Sequence, residues 1–257
     1  MAAETTTSGE NSVDTDVTEI AERIYRLSTF LPTAGPTGLA FNQFLIDAEE
    51  PLLFHCGQRS LFPSVSQAAR RVLDLKRLRW ITFSHIEGDE CGALDEWLAA
   101  APQAQASHGR LGCALWLNDM SARPPVMRRD GDVLDLGGRR VRWLETPHMP
   151  HGWEAGHWFE EVTGCLFCSD LFALGGRTPA TTTDDIIGPA IDLDRRVGFM
   201  TKTPQTAATI GRLSALAPRT LAPMHGPAFS GHATEALAGL GKHYASQLKA
   251  AAIDAEA

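Results

Sequence analysis

The chain has 257 residues, 44% of them hydrophobic and 21% charged, enough for one large domain with a substantial core. A formal net charge of −8, with no Lys/Arg cluster set against it, speaks against a nucleic-acid partner or an anionic membrane surface, and no apolar stretch reaches the length of a membrane span. Five cysteines, odd in number and thinly spread, disfavour a disulfide framework.

Residues 1–18, MAAETTTSGENSVDTDVT, are polar and acidic, which predicts a flexible tail and not a signal peptide; a cytoplasmic location is the default expectation. No repeat or linker divides residues 19–257, so a single domain is expected there. LAFNQFLI (Leu39 to Ile46) and Leu52 to His55 read as strands joined by the DAEEP turn. Val65 to Leu75 has helical spacing, with Arg70-Arg71 and Lys76-Arg77 as its solvated face. WITF (Trp80 to Phe83) is a short buried strand; the loop SHIEGDECG and a helix from Ala93 to Ala100 follow. Val141 to Leu144 and Leu166 to Cys168 are further strands. Pro204 to Leu216 and Ala233 to Ala251 read as helices, the first with its proline near the N-terminus. Cys165 and Cys168 form a CxxC, but inside GCLFCSDLF they read as small apolar residues of a buried strand, and no second CxxC completes a zinc site. Strands mixed with helices throughout predict a layered α/β domain.

The polar residues that stand out follow these strands: Ser84-His85 after WITF, Thr146 to His151 after VRWLE, Ser169-Asp170 after CLFC and His225 after LAPM. Strand ends gathered at one sheet edge are where α/β folds build sites. HIEGD alone is weak: with 31 acids and nine histidines, an H-x-acid-x-acid run arises by chance in roughly one such chain in seven. It reads equally as a polar loop whose histidine caps a helix. His85, Glu87, Asp89, His151, Asp170 and His225 together offer three imidazoles and three carboxylates, a plausible set for two metals with one carboxylate bridging. Carboxylate-rich mixed N/O sets suit iron or manganese better than zinc. His55, His108, His157, His232 and His243 show no partner pattern and read as surface or satisfied core histidines. There is no nucleophile elbow and no phosphate-cradling loop.

The order HxExD, TPxxxH, a strand ending in SD and a late MHGP resembles the metallo-β-lactamase fold, over Gly38 to Pro227. The glutamate at the second ligand position resembles its di-iron branch, the flavodiiron oxygen and nitric-oxide reductases and their flavodoxin-free relatives. The resemblance implies a four-layer αββα sandwich. It also implies one iron on His85, Glu87 and His151, a second on Asp89 and His225, and Asp170 bridging; zinc or manganese is the alternative metal. His151 is preferred to His148 because its nineteen-residue distance from Asp170 matches the family spacing. His148 is then a pocket residue or a donor behind a ligand. There are two departures. His55-Cys56-Gly57 stands where the family has Asp-Thr-Gly, and Glu90 stands where HxExDH ends in histidine. Glu90 and His148 are therefore additional candidate ligands. The implied function is binding or reduction of dioxygen or nitric oxide. As the sequence ends soon after the matching region, no flavodoxin domain is expected, and electrons would come from a separate donor. A hydrolase of the same fold acting on a thioester, lactone or phosphodiester, and an oxygen sensor without turnover, are the alternatives. Trp153 is expected to shield the metals. The long segment after Asp170 is expected to form a loop over the site or a homodimer contact.

Overall fold

The computed structural model describes residues 13–256. Two seven-stranded sheets carry the fold. The first contains β1 (Thr15–Ala21), β2 (Ile24–Leu31), β3 (Leu39–Ile46), β4 (Leu52–Phe54), β5 (Trp80–Thr82), β6 (Gln105–Gly109) and β7 (Val126–Arg128), in that order. The second contains β8 (Val133–Asp135), β9 (Arg140–Glu145), β10 (Gly156–Glu160), β11 (Cys165–Ser169), β12 (Thr181–Thr182), β13 (Thr220–Pro223) and β14 (Ala228–Phe229). Its spatial order is β12-β14-β13-β11-β10-β9-β8.

The period-two alternation of strand side chains sorts the apolar residues into three cores. Leu45 and Leu53 face helices Phe62–Ala69 and Leu94–Ala100, where Val65, Ala68, Leu94 and Trp97 cover the first sheet. Their strand neighbours Phe44, Leu52 and Phe54 point the other way, against Phe167, Trp143 and Trp158 of the second sheet. On the outer side of that sheet, Leu166, Cys168 and Leu221 meet helices Ile187–Val197, Thr206–Ser214 and Ala233–Glu256. Helix layer, sheet, sheet, helix layer: this is the expected four-layer αββα sandwich. The same alternation disposes of the CxxC. Cys165 lies in the inter-sheet core and Cys168 in the outer one, so the two thiols sit on opposite faces, both free and buried.

The expected tail is corrected at its end. Thr15 to Thr18 belong to β1, which pairs antiparallel with β2. Its β-branched residues suit a half-buried strand, Val17 packs on the core, and Thr15 Oγ1 bonds Thr29 Oγ1 at 2.8 Å. Residues 1–12 lie outside the described residues. Among the described residues no helix is long and apolar enough to cross a membrane.

Strand direction positions the site. β4, β5 and β6 run parallel, and β9, β11 and β13 share one direction, β10 lying antiparallel between β9 and β11. Their C-terminal ends carry every candidate ligand. The rings of Phe44 and Phe54 lie 5.5 and 5.2 Å from that of Phe167 and hold the sheets apart at these ends. Phe167→Ala is expected to cost about 3–5 kcal/mol, measured as a fall in urea midpoint; a loss below about 1 kcal/mol would show that this core does not set the sheet separation.

Candidate metal centre

The loop after β5 turns at once into a short helix, Gly88–Cys91, for which Glu87 is the extended N-cap residue. That geometry throws His85, Glu87 and Asp89 to one side. At the second sheet, the register of β11 against β13 slips between Phe167 and Ser169, and Ser169 takes a left-handed φ of 49°. A bulge and a positive φ at a non-glycine residue are means of re-aiming a side chain, and here they turn Asp170 inward.

His85 Nε2 lies 2.8 Å from Glu87 Oε2 and 3.7 Å from Asp170 Oδ2. His151 Nε2 reaches the same two oxygens, at 3.1 and 3.6 Å. One donor atom from each of these four residues lies within 4.8 Å of the others. Across the carboxylate, Asp170 Oδ1 is 3.3 Å from His225 Nε2, itself 3.3 Å from Asp89 Oδ2. The six candidates thus form two groups joined through Asp170, one oxygen to each.

The donors fit a pair of metal ions. Asp170 Oδ1 is buried without a hydrogen bond, a costly state for a carboxylate oxygen unless a cation meets it. His225 Nδ1 donates to the Ala40 carbonyl at 2.8 Å, which directs Nε2 inward, the usual arrangement for a ligating imidazole. Glu87 is about half exposed and the other donors more buried, leaving room for exogenous ligands.

Three supports escaped the sequence reading. Glu154, nearly buried, accepts the Ile86 N–H at 2.8 Å and pins the HIEGD turn. Gly152 (φ +76°) makes space for it: a Cβ there would lie 3.2 Å from both Glu154 oxygens and 3.3 Å from His85 Cβ. Asn42 of β3 donates from Nδ2 to the Pro223 and Gly226 carbonyls, both at 2.9 Å, and clamps the loop bearing His225. The available signal was a polar Asn42-Gln43 pair inside an otherwise apolar strand.

Other expectations need correction. His148 is an exposed turn residue with φ +64° and is not among the four clustered donors; its backbone, bonded to Gly152, shapes the turn before His151. Glu90 is fully buried and faces away from the cavity, its Oε2 accepting the Ser84 and His85 N–H groups at 2.8 Å each. Trp153 is half exposed, edge-on to Trp116, and borders a separate surface cavity with Arg110 and Glu145. The segment after Asp170 is no plain loop: it carries helix Ile187–Val197, stopped by Gly198 at φ +71°. Leu193, Val197 and Phe199 of this segment wall a cavity of about 320 Å³ that opens onto the six donors. His108 and His157 are core histidines bonded to the Ser84 and Cys168 carbonyls.

The comparisons with known proteins agree with this architecture. The family described as "ODP family beta lactamase" matches residues 39–226. The chain belongs to this family. It is 24% identical over 209 residues to the rubredoxin-oxygen oxidoreductase of Megalodesulfovibrio gigas, covering 77% of this chain and 51% of that protein. It is 27% identical over 165 residues to the anaerobic nitric oxide reductase flavorubredoxin of Salmonella arizonae, covering 60% and 33%. The chain thus spans about half or less of these curated relatives. The solved structure of rubredoxin oxygen:oxidoreductase from Desulfovibrio gigas superposes with a TM-score of 0.79 at 19% identity, over 89% of this chain and 61% of that one. A fragment of diflavin flavoprotein A 5 from Nostoc sp. gives 0.78 at 17% identity, over 95% and 99%. At these identities the structures show the fold.

The electrostatics of the metal-free cluster follow from its crowding. Burial opposes charge on His85, but Glu90, Glu87 and Asp170 outweigh it and hold its pKa near 10. Burial likewise opposes charge on His225, yet Asp89 and Asp170 raise it to about 9. Hydrogen bonds from His151 and His85 keep Glu87 well below the ordinary carboxylate range. At pH 7 protons therefore occupy the ring nitrogens that face the carboxylates. A metal must displace them, so affinity rises with pH toward these values and falls below them. Metal uptake is expected to release protons in weakly buffered solution, and affinity to fall about tenfold per pH unit for each proton displaced. A metal affinity equal at pH 6 and pH 8 would contradict this proton exchange.

Proposed function

We propose that this chain holds two iron ions and uses them to bind and reduce dioxygen or nitric oxide, with electrons from a separate donor. The observation that carries the reading is the buried Asp170 carboxylate, with one oxygen toward each ligand set, at the floor of an apolar cavity. In this reading His85, Glu87 and His151 hold one ion, Asp89 and His225 the other, and Asp170 bridges. Bound irons would supply the electrons and a pair of adjacent Lewis-acid positions for a diatomic ligand. Three carboxylates against two divalent ions leave a small positive charge, and anionic oxygen donors favour the ferric state.

The chain's own residues supply the surroundings. Leu193, Val197 and Phe199 form an apolar wall beside the donors. The Phe41 ring meets His225 edge-on at 5.1 Å and restricts its rotation. The two curated relatives, an oxygen oxidoreductase and a nitric oxide reductase by name, support the substrate class. The hydrolase reading has less support: Glu87 replaces the histidine expected of that branch, whereas Glu90 departs from both patterns alike.

Iron reconstitution under anaerobic conditions is expected to give two irons per chain, a near-ultraviolet absorption change on admitting air, and sustained oxygen consumption with added reductant. Glu87→His should lower that consumption about tenfold or more. Zinc-dependent phosphodiester or ester turnover without oxygen uptake would refute the proposal. A spectral change without sustained consumption would leave binding and remove reduction.

A further inference from the structure

The two departures from the family patterns touch each other. His55, at the end of β4, is fully buried in a left-handed conformation (φ +67°). Its Nδ1 donates to the Asn42 carbonyl at 3.2 Å, and its Nε2 lies 3.2 Å from Glu90 Oε1, off the line of a hydrogen bond. The same Glu90 oxygen accepts from Ser169 Oγ and stands 3.3 Å from His85 Nδ1. With Oε2 on the Ser84 and His85 N–H groups, one buried carboxylate joins the ends of β4, β5 and β11, across both sheets.

We propose that Glu90 is a positioning residue that orients His85 from behind, and that Glu90 and His55 are a swapped acid–imidazole pair. The acid stands at 90 and the imidazole at 55, whereas the patterns this chain resembles have the acid first and the imidazole second. A carboxylate at the distal nitrogen of a ligating histidine fixes the ring and raises its basicity; Glu90 stands toward His85 Nδ1 at ion-pair distance, 3.3 Å, and is linked to it through Ser169 Oγ, which donates to Glu90 and lies 3.4 Å from the same nitrogen. The swap also leaves the two metal positions unequal. Four side chains converge at the first, His85, Glu87, His151 and Asp170 Oδ2. Among the described residues, Asp89, His225 and Asp170 Oδ1 serve the second, because the residue at position 90 points elsewhere. This last consequence rests on the two-iron reading; the contacts themselves do not.

Two measurements separate these elements. Anaerobic titration with ferrous iron against a competing chelator is expected to show a first ion bound at least about tenfold tighter than the second. Glu90→Gln, nearly isosteric, should weaken the first ion about 10- to 100-fold and the second far less. An equal loss at both positions, or none, would refute the positioning role. Urea denaturation of the metal-free protein tests the swap. His55→Asp sets two buried acids face to face and Glu90→His two imidazoles, so each should lower the midpoint. The double variant His55→Asp/Glu90→His should recover most of the loss. Midpoint losses that simply add would refute the pairing. A chain that binds no iron yet shows the recovery would refute the two-iron reading and keep the swap.

Discussion

The structure is organised around a carboxylate drawn almost wholly out of bulk water. Asp170 is 5% exposed, and its burial pushes its pKa up, against the pull of His225 and His85. Removing an ion from water costs several kcal/mol even after relaxation, so cations must return that energy at both oxygens. Protons on the facing imidazoles do so in the metal-free chain, and divalent ions would do so more fully. Glu87 and Asp89, which alone would repel Asp170, become favourable once such cations lie between them. The site is thereby coupled to folding: whatever occupies the space between these groups also stabilises the strand ends that carry them.

The architecture makes that arrangement possible because each sheet supplies half of it. His85, Glu87 and Asp89 come from the edge of the first sheet, and His151, Asp170 and His225 from the second. Their spacing is set by the aromatic packing of Phe44, Phe54 and Phe167 between the sheets. Buried polar contacts then fix the register. Asn42 ties the first sheet to the His225 loop, Glu154 ties the His151 side to the HIEGD turn, and Glu90 ties His55, Ser84 and Ser169. Each of these groups is costly to bury unless fully bonded, and together they specify one arrangement of the strand ends more than they add stability.

What could be read in advance follows from the range of the interactions. LAFNQFLI and CLFC announce themselves as strands because, Asn42 and Gln43 aside, their composition is apolar, and the six donors stand out because each follows such a run. β1 was hidden in an acidic stretch, where pairing with β2 and packing of Val17 outweigh composition. Helix Ile187–Val197 was hidden by its threonine- and acid-rich flanks and by Gly188 and Pro189 in its first turn. The direction of Glu90 is hidden for a different reason. Adjacency to Asp89 leaves both ligation and turning away open, and successive residues of a helical turn point about 100° apart. Asp89 therefore faces the cavity while Glu90 faces the core.

The walls of the cavity bear on what it admits. Apart from the donors and Thr37, its lining is apolar or backbone, from the 34–39 turn, Ala173 and Gly175, and the cover formed by Leu193, Val197 and Phe199. No lysine or arginine lines it among the described residues. The four cations on the covering segment are engaged elsewhere: Arg177 over the Phe30 ring at 4.3 Å, Arg195 on Asp192 at 3.3 Å, Arg196 on the Asp192 carbonyl at 3.1 Å and Lys202 on Asp194 at 3.0 Å. An anionic substrate such as a phosphodiester would leave water for an apolar passage lined at its end by three carboxylates, with only the bound metals to offset that cost. A neutral diatomic molecule loses almost no hydration on entering and needs no positive anchor along the way. Polarity and charge of the passage thus favour the same class of ligand as the carboxylate-rich donor set at the floor.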